Sequence, residues 1–316
     1  MKEFFFYRGI KSLAKKLKGD EKICLAIRPY GFHAGNQIPL AIYPFFLCEE
    51  LRKNKKEPRF IIYLVFNDWE QFKLDGPNVK EYPFNVYPKD TTLQYTQDPS
   101  NTYKNIVDYW TPIITKDVKI IEKDFPLVQV KPILYSEFKN DKRLSAVLVK
   151  TLKKPRTFFN ILKKYTNKKL LPSPWKQIIA VCPKCKLTKG TTTLSRSNKL
   201  KHFCINCSNT YQGRLLDFDY WLYHTQLALP RYQILDIDLC ITGADKIDES
   251  DYTVREKLAE AYGINLKMPD VLYTPLIVDK KGDRMGKSRG NHKYVKANVL
   301  RKLILIDKNR QFICID

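Results

Sequence analysis

The stretch from Ile23 to Asn54 limits the architectures open to this chain. Ile23-Cys24-Leu25-Ala26-Ile27 is a continuous apolar run without polar alternation, as a strand buried on both faces of a parallel sheet reads. Pro29 and Gly31 break the run, His33-Ala34-Gly35-Asn36 follows, and an apolar segment long enough for a helix leads to Asn54. Pro39 stands in the first turn of that helix, where its missing N–H matters little, whereas Pro44 lies deeper and predicts a kink. Cys48 falls on its apolar side. A strand, a glycine turn and a helix N-terminus together make an anion site, because free backbone N–H groups and the positive end of the helix dipole face the ligand. Gly35 would let a nucleotide approach the backbone, with His33 and Asn36 as donors. Without a second feature the same residues read as an ordinary turn.

The second feature stands near the other end: Asp283-Arg284-Met285-Gly286-Lys287-Ser288-Arg289-Gly290-Asn291. It is a glycine-rich basic loop between the apolar Val271–Val278 and a helix-like Val295–Ile306. Small residues around Lys287 and Ser288 suit a loop that closes a cation over polyphosphate. The pair of stretches resembles the two signatures of class I aminoacyl-tRNA synthetases, with His-Ala-Gly-Asn in place of His-Ile-Gly-His and Arg-Met-Gly-Lys-Ser in place of Lys-Met-Ser-Lys-Ser. Their order and separation imply an α/β fold: a Rossmann-like parallel-sheet core split by an insertion. The resemblance implies that His33, Asn36, Lys287 and Ser288 carry the catalysis, and that Gly31, Gly35 and Met285 contribute to the ATP site, with Mg²⁺ accompanying ATP.

The formal net charge of +23 favours a polyanionic partner, with a lysine-biased, solvated surface as the alternative. A hydrophobic share of 44% marks a globular chain. No apolar run reaches the ~20 residues that span a bilayer; the longest, Ile38–Cys48, holds two prolines. No signal-peptide pattern is visible, so a cytoplasmic location is expected, with an organelle matrix as the alternative. Phe4–Lys18 reads as an amphipathic first helix with Ile10, Leu13, Ala14 and Leu17 on one face.

Phe60–Phe66 reads as a central strand, and Asp68 and Glu70 follow its carboxyl end, where ligands of open α/β sheets bind. They either contact a substrate amine or ribose, or cap a helix. From Lys139 to Lys201 there are 18 Lys or Arg and one acidic residue, Asp141. Interleaved Phe158, Phe159, Tyr165 and Trp175 suit RNA backbone and frayed bases; the alternative is a solvated exterior on helices around Leu144–Leu162. Inside this stretch Cys182-Pro-Lys-Cys185 and Cys204-Ile-Asn-Cys207 have the spacing of one tetrahedral Zn²⁺ site. Two disulfides are the alternative, but no secretory signal supports an oxidising compartment; four thiolates leave no open position, so the expected zinc is structural, and His202 is expected to be an exposed spare. Ile237–Ile241 reads as a further strand. Beyond it Gly243 would permit close approach to adenosine, and Asp245 either binds ribose hydroxyls or caps a helix through Tyr252–Tyr262.

Within the superfamily, Asn67-Asp68-Trp69-Glu70-Gln71-Phe72, the fainter Gln97-Asp98-Pro99-Ser100, and the cysteine ribbon with Thr191-Thr192-Thr193 resemble the archaeal-type class I lysyl-tRNA synthetases. That resemblance implies an amino-acid pocket involving Asp68, Trp221 and Lys246, ATP-dependent activation of an amino acid such as lysine, and transfer to tRNA. Several departures stand beside it. The segment before His33 is one residue shorter than the family's. Lys246 replaces a histidine and would repel a lysine side chain unless Asp248 or Glu249 neutralises it. Ile247-Asp248-Glu249-Ser250-Asp251 replaces a Gly-Gly-Ser turn. Only 25 residues follow Asn291, which leaves no room for the family's anticodon-reading domain and implies a separate partner protein or acceptor-stem selection. The expected divisions are a first catalytic half at 1–95, an insertion with basic stretch and zinc ribbon at 96–212, a second catalytic half at 213–278, and the mobile loop with a short tail at 279–316. Two other functions compete: acylation of a non-tRNA or modified-nucleoside acceptor, and non-catalytic RNA binding on the same fold.

Overall fold

The computed structural model describes residues 1–71, 90–98, 100–165, 178–222, 224–248, 251–285, 294–306 and 310–315. The chain starts with β1 (Glu3–Phe5), α1 (Phe6–Lys16), β2 (Lys22–Ile27), α2 (Ala34–Gln37), a π-helical turn (Ile38–Ile42), α3 (Tyr43–Lys53) and β3 (Ile61–Phe66). Next come α4 (Ile106–Val118), α5 (Ile121–Asp124), β4 (Gln129–Leu134), α6 (Lys142–Lys153) and α7 (Pro155–Tyr165). Short strands follow: β5 (Ile178–Ala180), β6 (Gly190–Leu194), β7 (Leu200–Cys204), β8 (Asn209–Gly213) and β9 (Tyr220–Leu222). The last part holds α8 (His224–Leu235), β10 (Leu239–Gly243), α9 (Asp245–Asp248), α10 (Asp251–Ala261), β11 (Asp270–Thr274), β12 (Leu276–Val278), α11 (Ala297–Ile306) and β13 (Phe312–Cys314).

Six of these strands form one wholly parallel sheet in the order β1-β11-β10-β2-β3-β4. Its inner strands are apolar on both sides because both sides are covered. Ile62, Leu64 and Phe66 of β3 face a core with Ile10, Leu13, Phe46 and Ile304, while Val65 faces the opposite core with Trp69, Tyr220, Tyr232 and Tyr252.

The order turns at β2. The chain leaves β2 for β3 on one side and returns, after the crossover, as β10 on the other, which is the switch point where such sheets take ligands. The ladder itself opens there. β2 and β10 are in register only at Leu239↔Ile23 and Cys240↔Cys24, although β2 follows β3 to Ile27↔Phe66 and β10 follows β11 to Gly243↔Thr274. Ala26, inside the sheet, is consequently exposed.

Several expectations need correction. Phe4 and Phe5 belong to β1, paired with Leu272 and Tyr273 of β11, so the first helix starts at Phe6; stacking of Phe5 on Tyr273, centroids 5.3 Å apart, favours the sheet edge over another helical turn. Pro44 stands in the first turn of α3, and the disturbance around the two prolines is a widened π turn. The strand expected at Ile237–Ile241 runs Leu239–Gly243, and Val271–Val278 breaks at Pro275 into two strands. β4 lies within the stretch expected as an insertion, yet it extends the main sheet beside β3. No helix among the described residues is long and apolar enough to cross a membrane.

Candidate active site

The two loops that follow β2 and β10 flank the opened ladder. On the β2 side His33 caps α2, its Nδ1 accepting the Gly35 N–H at 3.2 Å. A neutral ring that accepts at Nδ1 carries its proton on Nε2. The Asn36 side chain donates to the Gly31 carbonyl at 3.4 Å, and Gly31 has φ +129°, a conformation other residues adopt only under strain. On the β10 side, Gly243 leaves room for Asp245: a Cβ at Gly243 would meet Asp245 Oδ1 at 2.5 Å. Asp245 opens α9 rather than the later helix, and it ion-pairs with Arg284 at 2.9 Å and with Lys246 at 3.6 Å. Arg284 also bridges Val278, so the start of the basic loop is fixed against this side. Met285, expected at the ATP site, is instead buried in the core, with its N–H donating to Ile277 at 2.8 Å. Lys287 and Ser288 lie outside the described residues.

The turn after β3 forms the third wall. Residues 68–70 form a turn and bend, not a helix start, so the cap reading of Asp68 is set aside. Asp68 is buried, its Oδ1 accepting the Ser136 N–H at 3.0 Å. Burial pushes its carboxyl up to about 6, with the Ser136 hydrogen bond acting in the other direction. Glu70 ion-pairs with Arg28, and Arg28 Nη1 donates to Tyr30 at 3.2 Å. Asn67 donates to Glu70 at 3.2 Å and accepts from Arg231 at 3.4 Å. Close by, Asp219 holds the Lys139 ammonium at 2.8 Å and the Tyr95 hydroxyl. Trp221 lies in β9 opposite Ile179 and is half-buried. Its neighbour Tyr220, on the other face of the strand, is the residue that packs on Trp69, centroids 5.6 Å apart. The sequence reading missed Arg28, Asp219, Ser136 and Arg231. Arg28 could have been found, since it directly follows β2; the others come from connections and a helix whose position only the tertiary fold sets.

The cysteine quartet comes together as expected. The sulfurs of Cys182, Cys185, Cys204 and Cys207 all lie within 4.8 Å of one another. The Cys182–Cys207 and Cys185–Cys204 separations are 3.9 and 3.6 Å, against edges of about 3.8 Å for a tetrahedron with Zn–S of about 2.3 Å. Cys182 and Cys204 each accept backbone N–H groups from within their own knuckle, and the residues just after the knuckles, Lys186 and Ser208, both have positive φ. The donor set therefore fits Zn²⁺. His202 is fully buried in β7, its Nδ1 3.1 Å from Thr192 Oγ1, which corrects its expected exposure. Such an inward strand position follows from the alternation Leu200, His202, Cys204. The ribbon is tied to the Asp68 turn: Gln71 donates to Thr188, Thr188 N–H donates to the Asp90 carbonyl at 2.8 Å, and Thr91 bridges Leu187.

A family model described as tRNA synthetases class I (K) matches residues 45–302. No curated protein matches the chain. Among solved structures, a putative arginyl tRNA synthetase from Campylobacter jejuni is similar at 11% identity and TM-score 0.40, over 97% of this chain and 70% of that one. Mycobacterium tuberculosis methionyl-tRNA synthetase in complex with methionyl-adenylate is similar at 8% identity and TM-score 0.39, over 96% and 62%. A glutamate tRNA ligase from Elizabethkingia meningosepticum CCUG26117 gives 11% identity and TM-score 0.37, over 85% and 52%. The chain thus spans between half and 70% of these proteins.

Proposed function

The chain belongs to the class I (K) tRNA synthetase family, and on that premise we propose that it activates an amino acid with ATP and passes the acyl group to a tRNA 3′ end. Activation forms an aminoacyl-adenylate and releases pyrophosphate. The observation that carries this reading is the opening of the β2–β10 ladder, with Ala26 exposed at its floor and the His33 and Asp245 loops on either side. Adenosine fits beside Gly243, with Asp245 accepting from ribose hydroxyls. The His33 Nε2–H, the Asn36 amide and Lys287 meet the triphosphate, where they oppose the charge that develops as the carboxylate attacks. Mg²⁺ accompanies ATP and neutralises part of the phosphate charge.

The family's description makes lysine the first candidate substrate, with Asp68 as partner for an ammonium group. Cys182, Cys185, Cys204 and Cys207 hold a structural zinc. The exposed cations of α6 and α7, among them Lys153, Lys154, Arg156, Lys163 and Lys164, contact the RNA backbone. Charging of total tRNA by zinc-loaded protein tests the whole reading. Replacing Lys287 with Ala should lower the charging rate roughly 100- to 1,000-fold while leaving the circular dichroism spectrum unchanged. Charging at the wild-type rate in that variant would contradict it.

A further inference from the structure

Arg231, on α8, is a cation that the described residues leave without a carboxylate. It is 4% exposed. Its Nη1 donates to Asn67 Oδ1 at 3.4 Å, its guanidinium lies 5.4 Å from the centre of the Tyr232 ring, and its Nε has no hydrogen-bond partner among the described residues. The one carboxylate of the neighbouring polar cluster, Asp251, is taken by Arg255 in a buried ion pair. Glu70, beyond Asn67, is taken by Arg28. The other ionisable neighbours are the Cys24 and Cys240 thiols on the facing strands, the Tyr232 phenol and the Arg255 guanidinium, none of them a carboxylate. A buried guanidinium that no carboxylate neutralises is costly to desolvate, and an anion bound beside it would offset that cost.

The location says which ligand. Cys24 and Ala26 point to one face of β2. Arg231 lies over that face, between the Cys24 thiol and the Asn67 side chain at the end of β3. Ala26, the exposed floor of the crevice, is therefore its neighbour along the strand. The triphosphate groups fall to the His33 side, at the N-terminus of α2, so the anion left for Arg231 belongs to the other reactant.

We propose that Arg231 binds a carboxylate of the acyl donor as it enters the crevice over Ala26. This rests on the adenylation reading above. Two carboxylates qualify, the α-carboxylate of any amino acid and the side-chain carboxylate of an acidic one, and their chemistry toward a guanidinium is the same.

Calorimetric binding to the zinc-loaded full chain, with lysine, glutamate, cadaverine and 4-aminobutyrate, separates them. Cadaverine is lysine without its carboxylate; 4-aminobutyrate is glutamate without its α-carboxylate. An α-carboxylate contact gives lysine binding and no cadaverine binding. A side-chain contact gives glutamate and 4-aminobutyrate binding. In either case Arg231→Met should weaken the bound acid at least about 30-fold and Arg231→Lys less. Arg231→Met should also raise the melting temperature of the ligand-free protein, because the unpaired charge is gone, and this a purely structural arginine would not do. Unchanged affinity in Arg231→Met, or wild type that binds none of lysine, glutamate and 4-aminobutyrate, overturns the proposal. ATP–pyrophosphate exchange on the same samples keeps the two readings apart. Exchange with an unchanged KM in Arg231→Met removes Arg231 alone. Arg231-dependent binding without exchange in wild type removes adenylation alone.

Discussion

Asp68 is the residue whose chemistry the fold alters most plainly. Its carboxyl is raised from the ordinary carboxylate range to about 6 by burial, so the folded chain holds its proton more tightly than the unfolded chain. Stability is therefore lost as pH rises from about 4 to 6, and above that the full penalty is present. Asp68→Asn keeps an acceptor for the Ser136 N–H and removes the charge. It should be more stable than wild type by about 3 kcal/mol at pH 8 and close to it near pH 4, measured by urea denaturation at both values. If Asp68 also holds a substrate ammonium, the same variant gains stability and loses amino-acid affinity. At this scale the sequence was informative about which residues follow strand ends in the chain itself: His33 after β2, Asp68 after β3, Asp245 after β10. It was silent on Arg231 and Asp219, which meet Asn67 and the Tyr95 and Lys139 side chains from elements whose place is set by packing. Its placing of Met285 at the ATP site stands beside a side chain that packs in the core, because an apolar side chain in a basic loop looks the same in sequence whether it faces ligand or core.

Among the elements, the zinc ribbon and the Asp68 turn are mechanically joined through Gln71, Asp90 and Thr91. A thiolate site binds zinc by roughly 10 kcal/mol or more, and that free energy is folding free energy for the segment it closes. Cys204→Ser should lower the zinc content by elemental analysis from one per chain to near zero. It should also speed hydrogen exchange in β6–β8 while leaving β2 and β3 protected. Because Leu187 and Thr188 directly follow the first knuckle, this variant should raise the KM for the amino acid more than that for ATP. The opposite element, the β10 turn, predicts the reverse. Gly243→Ala drives a methyl into Asp245 and should raise the KM for ATP roughly tenfold, with little change for the amino acid. The ribbon was readable because four cysteines at fixed spacing admit few geometries. β4 was not, because Gln129-Val130-Lys131-Pro132 carries the charge and proline of an edge strand instead of an apolar run.

At the scale of the molecule, a charge of +23 on 316 residues makes association with polyanions a bulk property, and the 18 cations between Lys139 and Lys201 concentrate it. Binding to tRNA should weaken linearly in log–log coordinates with salt, by roughly 1,000-fold between 50 and 200 mM if six phosphates are contacted. Changing Lys163 and Lys164 to Glu should flatten that slope. Such binding alone would also suit a protein that only holds RNA. What sets the proposed enzyme reading apart is the parting of β2 from β10, which leaves Ala26 exposed in the middle of a sheet whose neighbouring strands are buried. Amino-acid-dependent ATP–pyrophosphate exchange on zinc-loaded protein, run with all twenty amino acids with and without total tRNA, tests that most directly. The account predicts exchange driven by one amino acid or a small set, lost on replacement of Lys287. Confirmed ATP binding with no exchange under any of these conditions would contradict it.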